Sequence, residues 1–274
     1  MQVANHLLLD DAGKDVGPAN SPNHGAALAR PSLLVMHFTA GRSFDTSVKW
    51  LMDPAAKASA HVVIGRGGEV RQLVPFNVVA WHAGQSSWLG HDGCNAFSIG
   101  IELDNAGELK RQGGEWRAWF GATINPSEVM EAEHQDGGGV TGWHCYTDQQ
   151  LEAALQAALG ILSAYPCITD IAGHEDIAPH RKRDPGPAFP MESFKARVLG
   201  RGDRVPVNCR VTCGCALNVR SGPGIGFPTV AGSPLPAGAS VEVDSSNGVW
   251  RHVKAKLDGG STLVGWAHGG YLTS

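Results

Sequence analysis

The stretch Ile171–Phe189, IAGHEDIAPHRKRDPGPAF, concentrates histidine, acidic and basic residues just before a Pro-Gly-Pro turn. It is polar, irregular and interrupted by prolines, a composition typical of a surface loop. His174 and Asp184 can meet only if this loop folds back on itself, and the prolines fix enough φ angles to hold one such shape. A nitrogen and an oxygen ligand held by a stiff frame are what a zinc site requires. A solvated loop of mixed charge is the alternative interpretation.

Length and composition bound the class of protein. A chain of 274 residues suggests one large or two modest domains. The hydrophobic share of 42% and the charged share of 18% are those of an ordinary globular protein. The net charge is −4 and no basic stretch alternates with aromatic residues, so nucleic acid is not expected as a partner. No apolar run has the length of a membrane span, and the first residues, MQVANHLLLDDAGKD, lack the pattern of a signal peptide.

Short apolar runs and one clear helix predict an α/β domain, with a central sheet covered by helices. Continuous apolar runs are typical of buried strands, and two further runs flank a glycine-rich turn, which predicts a hairpin. Thr147–Leu162 has the apolar spacing of a helix, with Thr147 and Gln150 as a capping box. The predicted strands are Leu33–His37, His61–Ile64, Val70–Val74 and Ser98–Leu103.

The composition changes along the chain and predicts the domain boundaries. Residues 1–30 are an N-terminal arm, and residues 31–200 form the α/β domain. Residues 106–146 are glycine-rich and polar, which predicts a long insertion with little regular structure. Residues 201–206 are a linker, and residues 207–274 consist of short alternating strands between turn signals. The C-terminal part is therefore predicted to be a small all-β barrel.

Six cysteines do not make a disulfide scaffold in a chain of this length. Cys209, Cys213 and Cys215 lie close together, but their spacing matches none of the usual zinc patterns. Small buried or strand-edge thiols are the expected interpretation.

Two histidines and one carboxylate with an open fourth position form a catalytic arrangement for zinc. His37 closes a buried strand, where a lone histidine is more often a core residue than a ligand, but His174 and Asp184 lie in the stiff loop. The spacing alone leaves further ligands possible, namely His82, His91, His144, Asp176 and His180.

Four positions have side chains suited to chemistry or substrate binding at such a site. Glu102 ends an apolar strand, which raises a carboxyl pKa and suits proton transfer; a strand-end salt bridge is the alternative. Lys182 is suited to stabilising negative charge on an oxygen, or is a solvated loop lysine. Trp81 and His82 are suited to the wall of a sugar- or peptide-binding groove, or Trp81 is an ordinary core residue.

Five motifs occur in one order along the chain: His37-Phe-Thr-Ala, Ser59-Ala-His-Val-Val-Ile, Ala80-Trp-His-Ala-Gly, Ser98-Ile-Gly-Ile-Glu, and Gly173-His-x-Asp continuing to Lys182-x-Asp-Pro-Gly-Pro. Together they resemble the zinc-dependent N-acetylmuramoyl-L-alanine amidases related to peptidoglycan recognition proteins and phage amidase lysozymes. The resemblance covers about residues 30–200 and implies a mixed sheet with flanking helices. It also implies hydrolysis of the amide between the lactyl group of N-acetylmuramic acid and L-alanine, in peptidoglycan or muropeptides.

The resemblance assigns roles to individual residues. It implies that His37, His174 and Asp184 hold one zinc ion per chain, that Glu102 is the catalytic glutamate, and that Lys182 faces the reacting carbonyl. Groove-lining positions are implied for His61, Trp81, His82 and Asn95. A non-catalytic muropeptide-binding protein of the same fold is the alternative. A different hydrolase using His174 and His180 is disfavoured, because Pro179 separates them and their spacing is not that of a helical ligand pair.

The C-terminal residues resemble bacterial SH3-like (SH3b) modules. The resemblance rests on LNVRSGPG over 217–224, on Val249-Trp-x-x-Val, on Val264-Gly-Trp and on Gly270-Tyr-Leu. It implies binding of cell-wall peptide, which raises the local concentration of the catalyst on its substrate; a domain that only packs against its neighbour is the alternative. With no signal peptide visible, we expect a cytoplasmic enzyme or one delivered to the wall or periplasm by a phage or a secretion system.

Overall fold

A computed structural model describes residues 1–17, 19–199, 207–211, 216–247, 250–257 and 260–273. The chain divides into two compact units, Met1–Val198 and Leu199–Ser274. The linker predicted over 201–206 lies outside the described residues. Within the described part of the chain, none of the helices combines the length and apolarity needed to cross a membrane.

The first unit contains sixteen strands and four α-helices in the described residues. Its strands are β1 (Gln2–Ala4), β2 (Leu7–Leu9), β3 (His24–Ala27), β4 (Leu33–Phe38), β5 (Val62–Ile64), β6 (Val70–Gln72), β7 (Val78–Ala80), β8 (Ser87–Trp88), β9 (His91–Asp92), β10 (Ser98–Leu103), β11 (Glu108–Gln112), β12 (Glu115–Arg117), β13 (Thr123–Ile124), β14 (Val129–Glu133), β15 (Val140–His144) and β16 (Asp170–Gly173). Its helices are α1 (Phe44–Leu51), α2 (Asp148–Ala164), α3 (His174–Ile177) and α4 (Met191–Val198).

The central sheet has the strand order β16-β4-β10-β5-β6. The first four strands are parallel, and β6 runs antiparallel to β5. The prediction of an α/β domain with a mixed sheet is therefore confirmed. The strand β4 is apolar throughout its first four residues, which are at most 1% exposed, because both faces of the sheet are covered.

The helix α2 begins where the capping residue predicts. The Oγ1 of Thr147 accepts the backbone N–H of Gln150 at 3.2 Å. The prediction that the Gln150 side chain completes a capping box is wrong, because its Nε2 donates to the carbonyls of Ile64 and Asp104 instead. This buried amide ties the start of α2 to the ends of β5 and β10.

The insertion over residues 106–146 is more regular than the sequence predicts. It forms a five-stranded antiparallel sheet in the order β13-β12-β11-β15-β14. Leu109 and Trp116 are buried between its strands, so the insertion has an apolar cluster of its own. Gly113 and Gly114 have φ values of 60° and 87°, which a tight hairpin turn between β11 and β12 requires. The glycines thus mark turns between strands, and the expectation of little regular structure was wrong.

The first thirty residues carry three strands rather than an unbroken extended arm. The strands β1 and β2 form a hairpin, and β3 pairs with β7. Leu8 on β2 is fully buried, and its backbone N–H donates to the side chain of Gln72 at 2.7 Å. The N-terminal segment is therefore packed as part of the first unit.

The second unit is all-β in its described residues, as predicted. Its strands are β17 (Val207–Val211), β18 (Ser240–Asn247), β19 (Trp250–Lys256), β20 (Thr262–His268) and β21 (Leu272–Thr273), in the sheet order β20-β19-β18-β17-β21. All neighbouring strands are antiparallel and enclose a small core that includes Val219, Val253 and Ala267. Cys209 is free and half-buried, whereas Cys213, Cys215 and Val249 lie outside the described residues.

Candidate metal centre

The fold brings together the side chains of His37, His174 and Asp184. The Nδ1 atoms of the two histidines are 2.9 Å apart, and the Oδ2 of Asp184 lies 3.1 Å from His37 Nδ1 and 2.9 Å from His174 Nδ1. All three residues are buried, and their facing atoms form a group with the composition of a metal site.

Parallel strands and a folded loop produce this arrangement. His37 lies on β4, and His174 directly follows the neighbouring strand β16, whose last residue, Gly173, is in register with Met36. The loop then returns, and the backbone N–H of Glu175 donates to the carbonyl of Asp184 at 2.8 Å. A Cβ at Gly173 would lie 2.7 Å from the ring of Pro185, so this close approach requires glycine.

A chain of hydrogen bonds fixes the tautomer of His37. Ser98 Oγ donates its one proton to the carbonyl of Cys94 at 2.6 Å, so it must accept from His82 Nε2 at 3.2 Å. A neutral His82 then has a bare Nδ1, which accepts from His37 Nε2 at 2.9 Å. His37 Nδ1 is consequently left without a proton and faces the other two groups.

A second set of bonds does the same for His174. Its Nε2 lies 3.1 Å from the carbonyl of Ala83, which can only accept. The nearby Nη2 of Arg181 uses its hydrogens on the carbonyls of Ala83 and Gln85, at 2.7 and 2.5 Å. Nε2 of His174 therefore carries the proton, and its bare Nδ1 faces the centre.

The electrostatic environment favours the same protonation states. Burial, together with His174, lowers the pKa of His37 to about 4, so its ring is neutral near pH 7, as a metal ligand must be. Burial acts to raise the pKa of Asp184, but its contacts with His174 and His37 outweigh burial and hold the pKa below its ordinary range. Asp184 is therefore ionised at neutral pH.

The donor set fits zinc. Two ligand atoms that each lie about 2 Å from a tetrahedral zinc ion are roughly 3.3 Å apart. The three facing atoms are 2.9–3.1 Å apart, so a small outward shift would bring them to that spacing. Two imidazole nitrogens and one carboxylate oxygen are ligands that zinc prefers, and the network places no ring N–H between them.

Glu102 lies beside this group on the neighbouring strand. It is in register with His37 across the β10–β4 pair. Its Oε2 atom is buried and makes no hydrogen bond within the described part of the chain. Burial, with a contribution from Asp184 and against the effect of Lys182, raises the pKa of Glu102 to about 8. A carboxyl group with such a pKa can take up and release a proton near neutral pH.

Lys182 lies on the loop two residues before Asp184. It is half-buried, and its backbone N–H donates to the carbonyl of Ala178 at 3.0 Å. Its charge lowers the pKa of both Glu102 and His37, so the ammonium group acts on the same space as these two residues.

The four expected groove residues lie in different environments. Trp81 is the most exposed of the four, with 37% of its surface accessible to solvent. Asn95 Oδ1 accepts the backbone N–H groups of His82 and Ala83 at 3.0 and 2.7 Å, so it fixes the loop behind the centre. His82 is 7% exposed and supports His37 from behind.

His61 requires a correction, because the structure places it in the core and not in a groove. Its side chain is fully buried. Its Nε2 donates to the carbonyl of Val78 at 3.0 Å, and its Nδ1 accepts the backbone N–H of Gly100 at 3.0 Å. Both ring nitrogens are therefore used in linking β5 to its neighbours.

The other possible ligands are placed outside the His37–His174–Asp184 group. The side chain of His180 is 82% exposed and faces Asp136, and His91 is exposed on β9. His144 Nδ1 accepts the backbone N–H of Ala106 at 3.2 Å. Asp176 Oδ2 accepts the backbone N–H of Gly173 at 2.8 Å and so caps α3.

The insertion supports the loop that carries two of the three facing residues, a role that the sequence did not reveal. The connection between β14 and β15 contacts this loop through side chains embedded in a polar, glycine-rich run, which has no distinctive pattern. His134 Nδ1 accepts the N–H of Asp136, so its Nε2 donates to Glu175 at 2.5 Å. The same connection contributes the contacts of Gln135 with Asp176 and of Asp136 with His180, and Glu108 on β11 forms an ion pair with Arg183.

The sequence of the first unit matches known proteins. Residues 27–187 match the family described as N-acetylmuramoyl-L-alanine amidase. The 1,6-anhydro-N-acetylmuramyl-L-alanine amidase AmpD of Salmonella typhimurium is 34% identical over 187 residues, which span 62% of this chain and 81% of that protein. The N-acetylmuramoyl-L-alanine amidase AmiD of Escherichia coli is 33% identical over 183 residues, or 64% of this chain and 56% of that protein.

A solved structure of the Escherichia coli amidase AmiD in complex with the substrate anhydro-N-acetylmuramic acid-L-Ala-D-gamma-Glu-L-Lys is also similar. It is 28% identical, with a TM-score of 0.48, and the match covers 70% of this chain and 66% of that one.

Proposed function

The chain belongs to the N-acetylmuramoyl-L-alanine amidase family, and we propose that a zinc ion held by His37, His174 and Asp184 supports its reaction. The enzyme hydrolyses the amide between the lactyl group of N-acetylmuramic acid and L-alanine in muropeptides. Membership of this family favours the enzyme over the non-catalytic binding protein. The observation that carries the proposal is the convergence of three buried, unprotonated ligand atoms beside the Oε2 of Glu102, which has no hydrogen-bond partner among the described residues.

When bound, zinc supplies Lewis acidity toward a carbonyl oxygen and makes water a stronger nucleophile near neutral pH. The chain's own residues provide the remaining chemistry. His82 and the carbonyl of Ala83 hold the two imidazoles in the tautomers that ligation needs. Asp184 supplies the negative charge that offsets part of the charge of a divalent ion.

Glu102 is the proposed general base and then general acid. Its Oε2 would take a proton from the water that attacks the lactyl carbonyl, and would pass that proton to the leaving nitrogen of L-alanine. Lys182 would stabilise the negative charge that develops on the carbonyl oxygen, an interaction stronger in the transition state than in the bound substrate. The raised pKa of Glu102 suits this double role, because the group must gain and lose a proton in each cycle.

The substitution Glu102→Gln tests this assignment, because it keeps the shape of the side chain but removes its basicity. We expect zinc content to be unchanged and turnover to fall by about 10²–10⁴-fold, the range for a general acid–base group. Release of the peptide from anhydro-N-acetylmuramic acid-L-Ala-D-gamma-Glu-L-Lys would be followed by chromatography. Glu131→Gln, which alters an exposed carboxylate on β14, is the matched control. Near-normal turnover by Glu102→Gln would refute the role of this residue.

The second unit is proposed to be an SH3-like module that holds the enzyme on cell-wall peptide. The proposal is supported by the LNVRSGPG stretch and by the five-stranded antiparallel sheet. Ile225 and Phe227 follow that stretch and are 83% and 46% exposed, so they offer apolar contact area. Sedimentation of the full-length protein with purified peptidoglycan tests it: Phe227→Ala should leave more enzyme in the supernatant than wild type, and an unchanged distribution would count against this surface.

A further inference from the structure

Trp119 is a highly exposed residue that is nevertheless held in place. Its side chain is 75% exposed. Its indole N–H donates to the carbonyl of Ala40 at 2.7 Å, and its ring meets that of Phe120 edge to face, with centroids 5.7 Å apart. The hydrogen bond and the ring contact together orient the indole while leaving most of its surface to solvent.

The indole lies at the edge of the central sheet where the reaction takes place. Ala40 follows His37 by three residues, so their Cα atoms are at most about 11 Å apart. The backbone N–H of the intervening Thr39 donates to the carbonyl of Leu103, the residue after Glu102. Ligands of sheets with parallel strands bind beyond the carboxyl ends of the strands, which is where Trp119 is held.

The backbone at Ala40 is strained in a way that serves this contact. Its φ is 49°, in the left-handed region that residues other than glycine rarely adopt. Such outliers persist where the surrounding structure imposes them, and they are frequent at ligand sites. Here the unusual conformation accompanies a carbonyl that accepts the indole N–H of a residue from the insertion.

Charge next to the indole restricts what it can bind. The guanidinium of Arg42 lies 5.2 Å from the centre of the Phe120 ring, and its Nη2 donates to the Phe120 carbonyl at 3.3 Å. This positive charge disfavours an ammonium group on the adjacent indole. The indole N–H is already used, so a ligand meets mainly a flat π surface, which suits the C–H groups of an uncharged ring.

We propose that Trp119 is a platform for a sugar ring adjoining the muramoyl unit whose lactyl amide is cut. The inference rests on the proposed function, because that function places a muramoyl unit at the centre beside His37 and Glu102. The insertion thereby supplies a binding subsite for the glycan, and the enzyme favours muropeptides that carry a second sugar over those with a single one.

Calorimetric binding measurements in the Glu102→Gln background test the platform without relying on turnover. The probes are anhydro-N-acetylmuramic acid-L-Ala-D-gamma-Glu-L-Lys and the same compound extended by one N-acetylglucosamine. We expect Trp119→Ala to raise the Kd of the two-sugar compound about five- to tenfold, the loss of one stacking contact, and to leave the one-sugar Kd unchanged. Trp119→Phe should retain most of the affinity. Trp50→Ala, which removes an indole that is 59% exposed on α1, should change neither Kd.

The outcomes separate the subsite from the function on which it rests. If Trp119→Ala weakens both compounds equally, or neither, the platform for a second sugar is refuted. If wild-type enzyme cleaves neither compound, the proposed function fails, and the binding data still decide whether Trp119 contacts the second sugar.

Discussion

The substitution Ser98→Ala tests the hydrogen-bond chain behind His37. Ser98 is fully buried, and its hydroxyl accepts the proton that fixes the tautomer of His82. Without the serine hydroxyl, His82 can carry its proton on Nδ1. Two N–H groups, that of His82 Nδ1 and that of His37 Nε2, would then face each other. His37 would then move its own proton to Nδ1, the atom that faces His174 and Asp184. We therefore expect Ser98→Ala to weaken zinc binding without touching a ligand.

Two magnitudes follow from this arrangement. A buried N–H left without an acceptor costs about 1–3 kcal/mol of unfolding free energy. Loss of the partner that orients a metal-bound histidine typically costs 10–100-fold in metal affinity, or about 1.4–2.7 kcal/mol. In Ser98→Ala the carbonyl of Cys94 loses the serine hydroxyl as a donor but still accepts the backbone N–H of Phe97 at 3.1 Å. This carbonyl therefore stays hydrogen-bonded.

Zinc affinity would be measured by competition with a chromophoric chelator, and stability by urea unfolding of the zinc-free protein. The matched control is Ser21→Ala, since Ser21 is also buried and its hydroxyl donates to the Leu51 carbonyl at 2.8 Å, outside the histidine chain. Both variants should lose stability, but only Ser98→Ala should lose zinc affinity. Equal zinc affinity in the two variants would refute the reasoning from tautomers.

Two further predictions concern the insertion and the buried histidines. His134→Ala removes the side chain that donates to Glu175 at 2.5 Å, so we expect a loss of about 1–3 kcal/mol in unfolding free energy and weaker zinc binding. His24→Ala, at an exposed histidine on β3, is the control. Unchanged unfolding free energy and zinc affinity in His134→Ala would contradict a supporting role for this residue. Burial lowers the pKa of His61 to about 4, whereas the same side chain titrates near 6.5 in the unfolded chain. The ring is neutral in both states above pH 6.5. As the pH falls from 6.5 toward 4, only the unfolded state takes up a proton, so roughly 3 kcal/mol of unfolding free energy is lost. Urea unfolding of the zinc-free protein at pH 7 and 4.5 should show a smaller difference for His61→Gln than for wild type, and an equal difference would contradict it.

Local sequence signals predicted those parts of the fold that depend on neighbouring residues. The apolar runs at β4 and β10 identify buried strands, and Thr147 identifies the start of α2. The prolines and polar residues of 171–189 predicted one irregular loop, and this was wrong for the first part of the stretch, because Ile171–Gly173 belong to β16 and His174–Ile177 form α3. The resemblance of five motifs to the amidases then singled out His37, His174 and Asp184, which the fold brings together.

Features that depend on distant contacts could not be predicted in the same way. His61 and His82 look alike in sequence, each beside small or aromatic residues. Their roles differ because His61 lies next to Gly100 in the sheet, whereas His82 reaches His37. Neither motif indicates the strand order that creates these contacts.

The insertion illustrates the same limit. Its strands are short, and its polar and glycine-rich composition is equally typical of an irregular loop. Trp116 and Leu109 become a core only when five strands pair. The contact of His134 with Glu175 joins residues forty-one positions apart, so no local pattern indicates it.

The zinc dependence of cleavage tests the central claim most directly. Purified wild-type protein and Asp184→Ala would be assayed for zinc content and for release of peptide from anhydro-N-acetylmuramic acid-L-Ala-D-gamma-Glu-L-Lys, before and after chelation and again after zinc is restored. We predict one zinc per wild-type chain, far less in the variant, and cleavage at the lactyl–alanine amide that stops on chelation and returns with zinc. Full-rate cleavage by protein shown to be free of metal would contradict the account.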